Sequence, residues 1–288
     1  MLRKKMKLWY ENFWGGFEPK EFYFTQILNK VTDIQITNEN PDVIIYSVFG
    51  NFNPQSKSKS KKIFWTGENV LVGTNPLKKV LVEDYSHDIS LSFDPDSKTN
   101  IQCPLWILYL NYENKDANNY YERIIEKREF QHKNKYCNFI YSNPATQSSI
   151  RNKFFNFLLS KRFVHSAGRY ANNVGGPVKD KLDYIKNFVF TIAFENSYND
   201  YYTTEKLLQP LLATSVPIYW GGQESIKHFN SKTFINAYER SFEEIENEMN
   251  ELLKNQDIII KMGTLPILEK FPKQFLPETI ATKIMDNL

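Results

Sequence analysis

Short, nearly continuous apolar runs, spaced by segments of helical period, constrain this chain more than any other feature. Asp42-Val-Ile-Ile-Tyr-Ser-Val, Lys62-Ile-Phe-Trp-Thr, Tyr136-Cys-Asn-Phe-Ile-Tyr, Phe188-Val-Phe-Thr-Ile-Ala-Phe and Val216-Pro-Ile-Tyr all have strand length. Runs without an exposed polar parity fit strands covered on both faces. Lys20 to Lys30, Gln147 to Leu159 and Thr204 to Leu212 carry helical periodicity between them. Strands alternating with such helices predict βαβ units and parallel sheets, an α/β protein. Met6 to Trp14 is strand-like and runs into the turn signal Gly15-Gly16, and weaker strands are expected near Lys79 to Val82 and Asp88 to Phe93. The charged, Asn-rich stretch from Asn111 to Lys135 breaks the pattern and reads as an interdomain connection. It divides the chain into domains of residues 1–134 and 135–271 with a cleft between them, and residues 272–288 form a terminal helix. A length of 288 residues suits two domains of roughly 150 residues each.

Charge and cysteine usage exclude several classes. Lys and Arg number 36 against 33 Asp and Glu, a net charge of +3, too small a field to predict nucleic-acid binding. Arg3, Lys4, Lys5 and Lys7 form one basic group and Lys57, Lys59, Lys61 and Lys62 another, which read as solvated loops with an anion contact left open. Cys103 and Cys137 lie in apolar stretches without CxxC spacing, as buried free thiols of a reducing compartment would. The four histidines are far apart, which argues against a zinc site. No stretch reaches the ~18 apolar residues of a membrane helix, and the N-terminus lacks a signal-peptide core. A cytoplasmic protein with at most peripheral membrane contact is expected.

Ligands of open parallel sheets bind beyond the carboxyl ends of the strands. Neither G-x-G-x-x-G nor a Walker A motif is present, so the two common phosphate loops are excluded. Asp94-Pro-Asp96 has a D-x-D form that can hold a divalent cation, a weak signal. Phe194-Glu-Asn-Ser-Tyr-Asn-Asp-Tyr-Tyr-Thr-Thr-Glu-Lys-Leu-Leu is stronger. It leaves a strand, crosses a polar loop and enters a helix with Thr203 or Thr204 as N-cap. A helix N-terminus suits a phosphate, and Lys206 in the first turn opposes the helix dipole unless an anion lies between them. Taken alone, Glu205 and Lys206 also fit an ordinary helix start.

The pattern F-E-N-S, six residues, T-E-K-L, then V-P-I-Y-W-G resembles the hallmark of the α1,3-fucosyltransferases, inverting enzymes that use GDP-fucose. The residues are Phe194 to Ser197, Thr204 to Leu207 and Val216 to Gly221, with Tyr202 in the spacer. Tyr141-Ser-Asn-Pro with Ile150-Arg-Asn-Lys-Phe-Phe resembles the start of the family's donor domain. Ser166-Ala-Gly-Arg-Tyr-Ala-Asn-Asn-Val-Gly resembles its arginine loop, and Thr66-Gly-Glu-Asn an acceptor-side motif of bacterial members.

The resemblance implies a GT-B fold, two Rossmann-like domains facing each other across a cleft, with the terminal helix returning to the N-terminal, acceptor-binding domain. Lys206 and Arg169 match cations that bind the GDP pyrophosphate, and Glu205 a carboxylate on donor hydroxyls. Asn196 and Tyr202 match polar groups of the nucleotide-sugar pocket, and Glu68 the general base. The implied reaction moves fucose from GDP-β-L-fucose to a glycan hydroxyl, O3 of N-acetylglucosamine in a lactosamine-type acceptor, giving an α1,3 linkage. The partners implied are GDP-fucose and an oligosaccharide or glycoconjugate, with no nucleic acid. No cofactor is required, and Mn²⁺ is not expected to be essential. Alternatives stay open: another sugar or acceptor, or a non-catalytic glycan- or nucleotide-sugar-binding protein. Glu68 also fits a turn cap, and Arg169 a surface ion pair. Of the tryptophans, Trp65, Trp106 and Trp220 read as core or near-core, whereas Trp14 ends a strand and is a candidate sugar-stacking ring. Thr203 departs from the branched aliphatic residue common before T-E-K.

Overall fold

The computed structural model describes residues 5–50, 59–69, 87–113, 120–143 and 149–288. Contacts divide the chain into two compact units, 1–113 with 272–288, and 114–271.

The first unit is built on a six-stranded sheet. Its strands are β1 (Lys5–Glu11), β2 (Asp33–Ile36), β3 (Val43–Tyr46), β4 (Lys61–Trp65), β5 (Ile89–Ser92) and β6 (Asn100–Gln102). Their order is β2-β1-β3-β4-β5-β6, and every pair is parallel. All four residues of β3 are buried, as its unbroken apolar run requires of a central strand. β1 alternates instead, burying Met6, Leu8 and Tyr10. Helices α1 (Tyr23–Leu28) and α2 (Leu105–Glu113) belong to this unit. The C-terminal helix of the chain, Pro277–Asp286, returns to pack against α1 and β6. Phe275, which precedes it, meets the fully buried Trp106 of α2 edge-on at 6.0 Å.

The second unit has a five-stranded parallel sheet of β7 (Lys135–Phe139), β8 (His165–Ser166), β9 (Phe188–Phe194), β10 (Val216–Trp220) and β11 (Ile235–Asn236), ordered β11-β10-β9-β7-β8. Its helices are α3 (Tyr120–Arg123), α4 (Ile150–Lys161), α5 (Lys181–Ile185), α6 (Glu205–Leu212), α7 (Phe242–Lys254) and α8 (Gln256–Thr264); the C-terminal helix is α9. Phe190, Ile192 and Phe194 of β9 face Phe139, Phe154 and Ile218 in one core. Phe154 stacks on Phe194 at 4.9 Å and Phe139 on Phe155 at 4.3 Å. Each such ring contributes roughly 1.5–3 kcal/mol through burial.

The division between units differs from the sequence expectation at one boundary. Residues 114–134 group with the second unit rather than ending the first. Side chains of that segment explain why. The Arg128 guanidinium donates to the carbonyls of Leu265 and Leu211, Ile124 is buried, and its carbonyl accepts from the Leu268 amide. Lys133 Nζ donates to Lys186 O, Ala213 O and Thr214 Oγ1 at 2.7, 2.8 and 3.0 Å. A segment too charged for an apolar core is therefore fastened by its cations to carbonyls at helix ends. The expected strand near Lys79 to Val82 lies outside the described residues, as do Arg3, Lys4 and Lys57 of the basic groups. Cys103 and Cys137 are buried free thiols in different units. Among the described residues no helix is long and apolar enough to cross a membrane.

Candidate functional site

The second sheet gathers most of the candidate residues at the carboxyl ends of its strands. β9 alternates, so Phe190, Ile192 and Phe194 enter the core while Thr191, Ala193 and then Glu195 take the opposite parity. The Glu195 amide extends the ladder one step past Phe194 by donating to Trp220 O at 2.8 Å. Its side chain, 0% exposed, turns onto the start of α6. There Oε1 accepts from the Thr204 amide at 2.8 Å, and the Thr204 hydroxyl lies 3.0 and 2.9 Å from the two carboxylate oxygens. Thr204 is the N-cap of α6, accepting from the Lys206 amide at 3.3 Å.

Lys206 is the positive member of this cluster. Its Nζ lies 3.3 Å from Glu195 Oε2, 3.3 Å from Glu205 Oε1 and 3.1 Å from Thr204 Oγ1, with the side chain 12% exposed. Burial opposes the ammonium charge, but Glu195 and then Glu205 outweigh it and hold Lys206 well above its ordinary value. Burial likewise works against the Glu205 carboxylate, yet Lys206 and Lys181 bring it down to about 2. Glu195 carries the remaining cost: burial pushes its carboxyl up, against the pull of Lys206 and the Thr204 donors. The sequence argument for an anion at Lys206 rested on an unfavourable helix dipole. Glu195 removes that premise, since a carboxylate already sits at the helix start.

The remaining segment of the pattern, V-P-I-Y-W-G, is joined to the same cluster. A side chain at Gly221 would place its Cβ 2.3 Å from Tyr219 Oη and 2.8 Å from Glu195 Cγ, so glycine is what lets Glu195 pass. Tyr219 Oη bonds Thr203 Oγ1 at 2.8 Å, and the Tyr202 carbonyl accepts from the Gly222 amide at 3.4 Å. Thr203, the departure from a branched aliphatic residue, is buried with Tyr219 and Ser225 as hydroxyl partners. Three sequence segments thus share one polar cluster because strand end, helix cap and neighbouring strand end meet there.

A second cation accompanies it. Arg151, in the first turn of α4 and 1% exposed, stacks its guanidinium on the Tyr141 ring at 4.1 Å. It donates to Asn196 Oδ1 at 2.5 Å and to Asn143 O at 3.0 Å, while its buried Nε has no partner among the described residues. Tyr141 Oη in turn donates to Phe194 O at 2.9 Å. The arginine loop crosses the same strand end: Ala167 donates to Phe139 O and Tyr170 to Tyr141 O, at 3.1 and 2.9 Å. A Cβ on Gly168 would lie 2.0 Å from Tyr141 O, so only glycine permits this crossing, which leaves Arg169 exposed.

Asn196, Tyr202, Glu205 and Lys206 therefore lie on one loop and helix start, with Arg169 on the adjacent loop. Asn196 is exposed, whereas Tyr202 is buried. Glu68 belongs to the first unit, in the turn after β4. Its amide donates to Thr66 Oγ1 at 3.0 Å, so Thr66 rather than Glu68 closes the turn, and the Glu68 side chain is exposed. Asp96 of the D-x-D pair accepts from the Gln102 amide at 2.7 Å and pairs with Lys283. Among the described residues no three His, Cys, Asp or Glu side chains converge as metal ligands. Sequence reasoning assigned no role to Glu195 or Arg151. Strand parity could have found Glu195, because it continues the row of Thr191 and Ala193, opposite the core-facing phenylalanines.

Two family descriptions match the chain. Residues 130–261 match glycosyltransferase family 10 (fucosyltransferase), C-terminal, and residues 8–109 the α-(1,3)-fucosyltransferase FucT N-terminal domain. The chain belongs to the α1,3-fucosyltransferase family. The α-(1,3)-fucosyltransferase FucT of Helicobacter pylori is 26% identical over 279 residues, 83% of this chain and 55% of that protein. The chain thus spans about half the length of that relative. Its fold is shared with a crystal structure of an α1,3-fucosyltransferase with GDP-fucose, at a TM-score of 0.76 and 23% identity, covering 100% of this chain and 91% of the other. The Anabaena protein HepE, crystallised with UDP and glucose, has the same general fold at a TM-score of 0.57 and 8% identity, over 98% of both chains. The two parallel-sheet units of this fucosyltransferase-family chain are those of the GT-B class.

Proposed function

We propose that this chain transfers fucose from GDP-β-L-fucose to a hydroxyl of a glycan, O3 of N-acetylglucosamine in a lactosamine-type acceptor, with inversion to an α1,3 linkage. The observation that carries the reading is the Glu195–Thr204–Lys206 cluster at the start of α6, assembled from the segments that mark the family. In this reading the second unit binds the donor. Lys206 and Arg169 hold the diphosphate, and Lys206 is kept ammonium by Glu195 and Glu205, so its charge is in place as the leaving group forms. Arg151 holds Asn196, which lines the nucleotide-sugar pocket together with Tyr202. Glu205 accepts hydrogen bonds from donor hydroxyls.

The first unit binds the acceptor and supplies Glu68 as the base. Its exposed carboxylate takes the proton of the acceptor hydroxyl as that oxygen attacks the anomeric carbon from the face opposite GDP. The C–O bond to GDP breaks as the new glycosidic bond forms, and one displacement inverts the centre. Two basic side chains, Lys206 and Arg169, balance the departing diphosphate, so turnover does not depend on a divalent metal. The enzyme works in the cytoplasm on an oligosaccharide or glycoconjugate. The test is incubation with a panel of GDP- and UDP-sugars and lacto-series acceptors, followed by mass analysis. A deoxyhexose added from GDP-fucose supports the reading; a product formed only from a UDP-sugar removes it.

A further inference from the structure

The carboxyl edge of the first sheet carries a layer of aromatic rings that the chemistry above does not use. Tyr10, Phe13, Trp14, Phe17, Phe22 and Trp65 touch one another in a connected set. Phe13 stacks on Trp65 at 5.5 Å and on Phe17 at 4.2 Å, and Phe22 meets Trp65 at 5.1 Å. At its outer side stand Trp14, 42% exposed, and Phe49, 45% exposed, edge to face at 5.7 Å. Trp14 also touches Phe13, Phe17 and Trp65, at 5.6, 5.2 and 6.2 Å, so its ring rests on other rings.

The backbone holds this arrangement. Trp14 follows β1 and Phe49 follows β3, neighbours in the sheet, and the Phe49 amide donates to Asn12 O at 2.9 Å. Asn12 takes a left-handed φ of 60°, and the Phe17 amide closes a turn onto Trp14 O at 3.2 Å. Trp65 is the last residue of β4, three residues before Glu68. The exposed rings thus stand at the carboxyl ends of β1 and β3, with Trp14 against Trp65 of the strand that leads into the Glu68 turn, at the end of the sheet where ligands of parallel sheets bind.

We infer that Trp14, flanked by Phe49, is a stacking ledge for one hexopyranose ring of the acceptor glycan. The inference rests on the fucosyl-transfer reading and adds to it the contact that holds the acceptor. An aromatic face is apolar and carries negative quadrupole charge, which suits the weakly positive C–H face of a pyranose and leaves the hydroxyl edge outward. A ring so seated spends no hydrogen bond of the hydroxyl that must react. The size of the patch decides against a protein partner. Two exposed rings match one or two sugar rings, far less than the ~800 Å² per partner of a stable protein interface.

The experiment uses the full chain with GDP-fucose, and N-acetyllactosamine as probe. Trp14→Ala should raise the acceptor KM about tenfold, the equivalent of ~1.4 kcal/mol, with kcat and the GDP-fucose KM within about twofold of the parent. Trp14→Phe, which keeps a ring, should recover most of the loss. Saturation-transfer NMR should show the C–H protons of one sugar ring receiving magnetisation in the parent and not in Trp14→Ala. That binding measurement does not require turnover, so a Trp14-dependent signal without transfer would support the ledge while removing the transfer reading. An unchanged acceptor KM and an unchanged NMR signal in folded Trp14→Ala would overturn the ledge. So would normal glycan binding combined with loss of self-association, or with loss of adsorption to phosphatidylcholine vesicles, since the rings would then face another chain or a lipid surface.

Discussion

Glu195→Ala removes the acceptor of two Thr204 donors and the partner that most strongly supports the Lys206 charge. Breaking a buried ion pair from one side costs ~3–5 kcal/mol, because a charge is left without compensation. Lys206 keeps Glu205 at 3.3 Å and is 12% exposed, which places this case at about 3 kcal/mol, low in that range. Glu195→Gln retains an acceptor for Thr204 but not the charge, and should cost about 2 kcal/mol. If the carboxylate acts chiefly through Lys206, then Lys206→Met should absorb much of the effect. A double-mutant cycle of Glu195→Ala with Lys206→Met should give a coupling of roughly 2 kcal/mol. Hydrogen-exchange mass spectrometry across a urea series, read on peptides of β9 and α6, reports the local stability without assuming that the two units unfold together. A coupling below ~0.5 kcal/mol would refute the reasoning, because residues that far from interacting simply add.

Further outcomes follow from the same geometry. Gly168→Ala should destabilise the second unit by more than ~2 kcal/mol and weaken GDP binding, since its Cβ would meet the Tyr141 backbone at 2.0 Å; calorimetry and titration read both. Glu205, held down to about 2, contributes stability that is complete above its unfolded value near 4.5 and lost as pH falls toward 2. Glu205→Gln should therefore flatten the acid limb of the stability profile in that window, and an unaltered limb would place the loss elsewhere. Glu68→Gln should leave GDP affinity unchanged and lower kcat by ~10²–10⁴, whereas full activity in the folded variant would remove the base assignment. Turnover should survive EDTA; loss restored by Mn²⁺ would show that the two basic side chains do not suffice.

The second half of the chain was the more legible in sequence. β7, β9 and β10 are apolar runs that exclude other readings, and α6 begins at Thr204, one of the two caps expected. The edge strands β2, β6, β8 and β11 are two to four residues long, and β2 shows no buried residue, so no apolar run announced them. Tertiary pairing, not local pattern, makes them strands. The charged segment before β7 misled for a related reason: Arg128 and Lys133 find acceptors that belong to distant helix ends. At the site, motif spacing gave Glu205 and Lys206 but no hint of how Lys206 is compensated. That depends on Glu195 reaching a cap nine residues later, through space that Gly221 leaves open.

Isothermal titration of GDP-fucose and of UDP-glucose into the parent and into Lys206→Ala tests the donor site most directly. GDP-fucose should bind the parent, UDP-glucose should not, and Lys206→Ala should weaken GDP-fucose by about tenfold or more while remaining folded, the scale of one charge-assisted phosphate contact. Equal affinity for the two nucleotide sugars, or GDP-fucose binding untouched by Lys206→Ala, would contradict a diphosphate seated at the start of α6.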